Sequence, residues 1–227
     1  MGSKSGSNPL RDAQLYGIVD LHYVAINGVG RVAEKLIAGG VDVLQLRAKG
    51  SAKSDIEKVA GDLSEVTEAA GVPFIVNDHA DIARRTGADG VHLGQDDGPI
   101  EAARPFARGA SPGDADAAFI VGRSTHSFEQ AAHAEIEGAD YIGFGPLFPT
   151  PTKAGRPAVG LHDIARVEES LHIPVFCIGG IHGGNLQAVL DAGARRVVIV
   201  SAILRAADII GYCRDVKAAL LARPISN

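Results

Sequence analysis

The sequence has no tryptophan, one methionine and two cysteines in 227 residues. Cys177 and Cys213 stand in no metal-like or redox-like spacing, which argues against a disulfide framework and for a reducing cytoplasm. An excess of positive charge is also missing. The 22 lysines and arginines face 27 acids, for a net charge of -5. No basic stripe is therefore available for nucleic acid or an anionic membrane. No apolar run reaches the length of a membrane span, and no charged-then-apolar signal opens the chain. No G-x-G-x-x-G opens a helix after the first apolar run, which disfavours a doubly wound open sheet.

What is present is a repeat. Four helix-to-strand junctions read Gly40-Val41-Asp42, Gly87-Ala88-Asp89, Gly138-Ala139-Asp140 and Gly193-Ala194-Arg195, each followed by an apolar run: VLQL, GVHL, YIGF and RVVIV. Glycine is the expected residue just past a helix, where a left-handed backbone costs least. Further apolar runs at 15–19, 73–76, 118–121 and 174–178 bring the number of expected strands to eight. Each is continuous rather than alternating, as buried parallel strands require. Helical stretches at 54–70, 127–137 and 161–171 lie between them. Eightfold strand–helix alternation in a chain of this length predicts an α/β protein of one domain, a (β/α)8 or TIM barrel. Residues 13–227 form that catalytic domain, and the Gly/Ser-rich start, residues 1–12, is expected as a disordered leader. The Gly/Pro/Asp-rich stretch 108–116 reads as a surface loop before the fifth strand.

Barrel chemistry lies on the loops after the strand C-termini, and polar residues gather there. Gln45, Arg47 and Lys49 share one side of an extended segment and suit a polyanion such as a diphosphate, or ion pairs with the barrel helices; the pattern leaves both open. Asn77 and Asp78 follow the third strand, and Gln95, Asp96 and Asp97 the fourth. Either aspartate alone reads most simply as a helix cap. Two at adjacent strand ends beside two cations point to a hard cation, Mg2+, bridging to phosphate. Asp96 is left as a surface or supporting neighbour. Ser124 and His126 follow the fifth strand. A histidine there is an acid/base candidate, but more often a structural group. After the sixth, Thr150, Thr152 and Lys153 lie on a loop stiffened by Pro149 and Pro151, either a connector or a lid. Gly179-Gly180, with Ile181 opening the seventh helix, and Val200-Ser201, opening the eighth, suit the recurrent barrel phosphate site. Cys177 reads as a small buried apolar residue.

These residues occur in phrases that resemble the thiamine-phosphate synthase (thiamine-phosphate pyrophosphorylase) family. They are LYGIVD (15–20), LQLRAKG (44–50), FIVNDHADIARRTGADGVHLGQDD (74–97), GADYIGFGPLFPTPTKAGRPAVGL (138–161), IPVFCIGGI (173–181) and VVIVSAIL (197–204). The resemblance implies a transferase that joins 4-amino-2-methyl-5-hydroxymethylpyrimidine diphosphate to 4-methyl-5-(2-phosphoethyl)thiazole, or a carboxylated form of that thiazole phosphate. The products are thiamine phosphate and pyrophosphate. It assigns the pyrimidine diphosphate to Gln45, Leu46, Arg47, Ala48, Lys49, Asn77, Ser124 and Lys153, and one Mg2+ per subunit to Asp78 and Asp97. The thiazole phosphate falls to Thr150, Pro151, Thr152, Gly180, Val200 and Ser201. Arg47, Lys49 and Lys153 are then the catalytic cations that neutralise the leaving pyrophosphate. The partners implied are small-molecule substrates, with a homo-oligomer open and neither nucleic acid nor membrane. Ala48 stands where the family usually has an acid. Arg123 replaces a small apolar residue, and with His126 it resembles the related thiazole tautomerase. That isomerase, and a non-catalytic barrel sensing thiamine precursors, are the alternative readings.

Overall fold

The computed structural model describes residues 8, 10–104, 119–150 and 157–223. Eight parallel strands close into a barrel in sequence order: β1 (Leu15–Asp20), β2 (Val43–Arg47), β3 (Phe74–Asn77), β4 (Gly90–Leu93), β5 (Ile120–Thr125), β6 (Tyr141–Phe144), β7 (Val175–Ile178) and β8 (Val197–Ile199). The closing register sets Leu15 beside Val197 and Tyr16 beside Val198. Helices alternate with them: α1 (Val29–Ala38), α2 (Lys53–Ala70), α3 (Ala80–Arg85), α4 (Ile100–Ala103), α5 (Phe128–Ile136), α6 (Ile164–Ser170), α7 (Leu186–Asp191), α8 (Ser201–Leu204) and α9 (Ile209–Leu221). No described helix is long and apolar enough to cross a membrane.

The continuous apolar strands split by parity into two cores. Tyr16, Ile18, Val43, Ile75, Ile120, Tyr141, Phe176 and Val198 point inward and pack the barrel. Leu15, Val19, Leu44, Leu46, Val76, Val91 and Val121 point outward beneath the helices. Successive side chains on a strand face opposite ways, so a strand covered on both sides must be apolar at both parities. Helices meet the outer core through one stripe each. On α2 it is Ile56, Val59, Ala60 and Leu63, at helical spacing.

All four junction glycines, 40, 87, 138 and 193, have positive φ, from 75° to 106°. The aspartates beside them act as clips at the strand starts. Asp42 N donates to Leu15 O at 2.9 Å, and Leu15 N donates back to the Asp42 carboxylate at 2.9 Å. Asp89 and Phe74 repeat the exchange at 2.8 and 2.7 Å, and Asp140 and Val121 at 2.9 and 2.7 Å. At the fourth junction Arg195 has no carboxylate to offer. Its N–H donates instead to Glu168 Oε1 on α6 at 3.0 Å.

Several boundaries differ from the sequence expectation. Leu10 is fully buried and Asn8 donates to Asp140 O at 2.6 Å, so the packed chain starts before residue 13. Leu10 belongs to the inner core and plugs the barrel. β5 runs on through Arg123, Ser124 and Thr125, which are polar but buried, because β4 and β6 flank it on both sides. Ile181 does not open α7. A turn intervenes, with Asn185 Oδ1 accepting from His182 N at 2.8 Å, and the helix starts at Leu186. The last helix, α9, covers α1 and β1 through Ile209, Cys213, Val216 and Leu220. The expected loop 108–116 lies outside the described residues.

Candidate active site

The inward parity that fills the barrel also builds its upper layer. Gln45 and Arg47 on β2, Asn77 on β3, His92 on β4, Ser124 on β5 and Gly143 on β6 share this parity and line one cavity. Thr150, Gly179, Gly180, Val200 and Ser201 complete its wall. The space, open mouth included, is about 850 Å³. Eight sequence-predicted residues meet here: Gln45, Arg47, Asn77, Ser124, Thr150, Gly180, Val200 and Ser201. Pro151, Thr152 and Lys153 lie outside the described residues.

The other half of the β2 segment goes elsewhere. Leu46 and Ala48 are 1% and 7% exposed and pack outward into the helix-side core. Both border the hollow beside Lys49 rather than the main cavity. Lys49 leaves the strand and lines an adjoining hollow with Asn77 and Asp78. Its ammonium is 3.4 Å from an Asp78 oxygen. Burial pushes the Asp78 carboxyl above its ordinary range; Lys49 opposes that rise, and Asp97, within hydrogen-bonding reach, adds to it. Neither aspartate caps α3 or α4, whose N-caps are His79 and Pro99. Asp78 has φ 66°, the one positive value off glycine among the described residues. Such strain persists only where the surroundings impose it, and it gathers at functional sites. No group of three or more His, Cys, Asp and Glu side chains suited to a metal occurs among the described residues. Two carboxylates without a third protein ligand fit Mg2+, which keeps waters and takes substrate phosphate oxygens.

Four residues that the sequence reading passed over support this site. Asp20, at the end of β1, is 1% exposed and accepts from Arg47 at 2.7 Å and from His22 N at 3.0 Å. Arg47 thus lines the cavity and is ion-paired, though with an aspartate at the end of β1 rather than with a barrel helix. Tyr16, Tyr141 and His92 form a chain beneath the cavity. Gln45 Nε2 donates to the Tyr16 hydroxyl at 2.8 Å, which lies 2.9 Å from the Tyr141 hydroxyl. That hydroxyl is 3.0 Å from His92 Nδ1, and His92 Nε2 is 2.9 Å from Ser124 Oγ. Burial pushes both phenols well above their ordinary range, so both keep their protons. An amide N–H can only donate. The polarity that gives each phenol proton an acceptor runs from Gln45 through Tyr16 and Tyr141 to Nδ1, leaving Nε2 to donate to Ser124. The signal for these residues was parity: His92 and Tyr16 are polar at inward positions of otherwise apolar strands. Gly122 makes the chain possible, since a Cβ there would overlap the Tyr141 ring.

His126 follows β5 but does not line the cavity. Its Nδ1–H donates to Gly145 O, and its N–H donates to Gln130 Oε1 at 2.8 Å. Gly180 has φ 68°, and a Cβ on it would lie 2.6 Å from Phe148 Cβ. This glycine is therefore needed to seat the loop that carries Thr150. Cys177 and Cys213 are both buried with free thiols, and burial pushes both thiols up.

Residues 15–203 match the model of the family described as thiamine monophosphate synthase. A thiamine-phosphate synthase of Thermus thermophilus is 48% identical over 176 residues, spanning 77% of this chain and 81% of that protein. One from Halalkalibacterium halodurans is 39% identical over 220 residues, 96% of this chain and all of that protein. Among solved structures, a thiamine phosphate pyrophosphorylase of Pyrococcus furiosus superposes with a TM-score of 0.78 at 30% identity. The match covers 93% of this chain and 96% of that one.

Proposed function

Because the chain belongs to the thiamine monophosphate synthase family, and is a transferase of the thiamine-phosphate synthase type, we propose that it joins the aminopyrimidine diphosphate to the thiazole phosphate named above, or to its carboxylated form. The observation that carries this reading is the shared cavity. Gln45, Arg47, Asn77 and Ser124 stand on one side of it, and Thr150, Gly180, Val200 and Ser201 on the other, so two substrates can meet within one space.

Gln45, Asn77 and Ser124 hold and orient the pyrimidine. Arg47 and Lys49 face the diphosphate, joined by Lys153, and neutralise charge as it grows on the leaving group; preorganised cations of this kind act most strongly where water is excluded. Asp78 and Asp97 would hold Mg2+, which supplies further positive charge to the diphosphate oxygens. The C–O bond to the pyrimidine methylene breaks with its electron pair leaving on pyrophosphate. The electron-rich ring carries the resulting positive charge until the thiazole nitrogen gives its lone pair to the methylene. That nitrogen bears no proton, so the bond-making step needs no general base. Arg47 is the cation among the described residues that line the cavity, and the His92–Ser124 contact at 2.9 Å then positions Ser124 rather than moving a proton in this step. Thr150, Gly180, Val200 and Ser201 position the thiazole phosphate so that its nitrogen faces the methylene.

The test is pyrophosphate release by the purified chain with both substrates and Mg2+. Release that requires both substrates is expected. A chain that binds them and releases none is a sensor, and the proposal fails.

A further inference from the structure

Arg123 lies on β5 at outward parity, where neighbouring strands place apolar groups against helices. It is 4% exposed. Its fork donates to two main-chain carbonyls, to Gly94 O at 2.6 Å and Gly98 O at 2.7 Å, while Nε has no partner. A desolvated guanidinium held by neutral carbonyls is an expensive arrangement. The two carbonyls bracket Asp97. The same turn is tied to Asp97 itself: Gly94 N donates to Asp97 Oδ2 at 2.6 Å, and Asp97 N donates to Gly94 O at 3.3 Å. Gly94 is thus gripped by Arg123 through its carbonyl and by Asp97 through both of its polar groups. Gln95 adds a second tie to β5, donating to Ser124 O at 2.5 Å. Glycines at 94 and 98 leave this loop little stiffness of its own, so its shape comes from these ties.

We propose that Arg123 is a positioning residue that fixes the Asp97 carboxylate beside Asp78 for a divalent cation. This rests on the metal role given to Asp97 above. Arg123 touches no reacting atom; it acts by holding the turn on which Asp97 rides. A planar fork can bridge both carbonyls, whereas a lysine ammonium presents a single point. Supporting residues around a metal site typically account for about 10–100-fold in metal affinity.

The test is direct titration of the full chain with Mn2+, followed by electron paramagnetic resonance, on wild type, Arg123→Met, Arg123→Lys and Asp97→Asn. Circular dichroism melts run alongside. Arg123→Met should weaken Mn2+ about tenfold or more, and Arg123→Lys by less. Pyrophosphate release at saturating Mg2+ should stay close to wild type in both, so the defect is one of cation concentration. If Arg123→Met fails to fold, the lysine variant carries the test. Folded Arg123 variants with wild-type Mn2+ affinity overturn the inference, whatever their melting temperature. If Asp97→Asn also binds Mn2+ as wild type does, the metal role of Asp97 falls with it. Pyrophosphate release by wild type tests the reaction separately.

Discussion

Arg47→Met should cost the protein both stability and turnover, and the two losses can be separated. The Asp20–Arg47 pair is 2.7 Å long, with side-chain exposures of 1% for Asp20 and 15% for Arg47. Removing the arginine leaves a buried carboxylate without its counter-ion, a change that typically costs about 3–5 kcal/mol. At about 2–4 °C per kcal/mol for a chain of this size, the melting temperature should fall by about 6–20 °C. Replacing both charges, Asp20→Asn with Arg47→Gln, removes the stranded charge. The asparagine amide keeps an oxygen for the His22 N–H that Asp20 now accepts at 3.0 Å. The double variant should therefore recover most of the lost melting temperature, since neutralising a whole buried pair is often nearly neutral. It should not recover pyrophosphate release, because the diphosphate still lacks its cation. Calorimetry and a coupled pyrophosphate assay on the three proteins decide the matter. A double variant that is stable and fully active would refute the diphosphate role of Arg47. An Arg47→Met protein that melts like wild type would refute the dependence of Asp20 on it.

Asp78→Asn and Asp97→Asn should each cut turnover sharply while leaving the circular dichroism spectrum intact, and EDTA should mimic them; full activity in excess chelator would remove the metal from the scheme. Lys153→Ala should lower kcat more than it raises KM, by about 2.7–4 kcal/mol of barrier if its charge meets the leaving group; a raised KM with unchanged kcat would make it a ground-state contact. Gly180→Val should raise KM for the thiazole phosphate most, because the new side chain displaces Phe148 and the loop to Thr150; an unchanged thiazole KM would move that phosphate elsewhere. His126→Ala should reduce pyrophosphate release only modestly. In a tautomerase the same change would remove a proton-transfer group worth about 10²–10⁴-fold, so a dead His126→Ala beside an active Arg47→Met would mean the wrong chemistry.

The barrel was legible because its repeat is carried by residues with one physical use each, a glycine at the helix end and an aspartate at the strand start. β5 was read short because Arg123, Ser124 and Thr125 look like a loop to any rule that equates burial with hydrophobicity. The Leu10 plug was unreadable for a related reason: a lone leucine beyond a Gly/Ser-rich start has no periodicity, and only barrel closure gives it a place. At the site, rim position sufficed for Gln45, Arg47, Asn77, Ser124 and Ser201. The same rule grouped Lys49 with them, although β2 ends at Arg47 and Lys49 lines the adjoining hollow; Leu46 and Ala48 came from the family resemblance alone, and strand parity turns both outward. Asp20 was missed because it makes no motif until β2 brings Arg47 beside it.

The reciprocal clips at Asp42, Asp89 and Asp140 join strands two by two, β1 to β2, β3 to β4 and β5 to β6, and the Glu168–Arg195 contact stands at the start of β8. The wall is therefore a closed ring of three clipped cassettes, with unclipped seams between β2 and β3, β4 and β5, β6 and β7, β7 and β8, and β8 and β1. Local opening should follow these seams, exchanging amides there before those inside a cassette. Every clip lies at the end of the strands away from the cavity, so a cassette's chemical rim can be rewritten while its fastening stays whole.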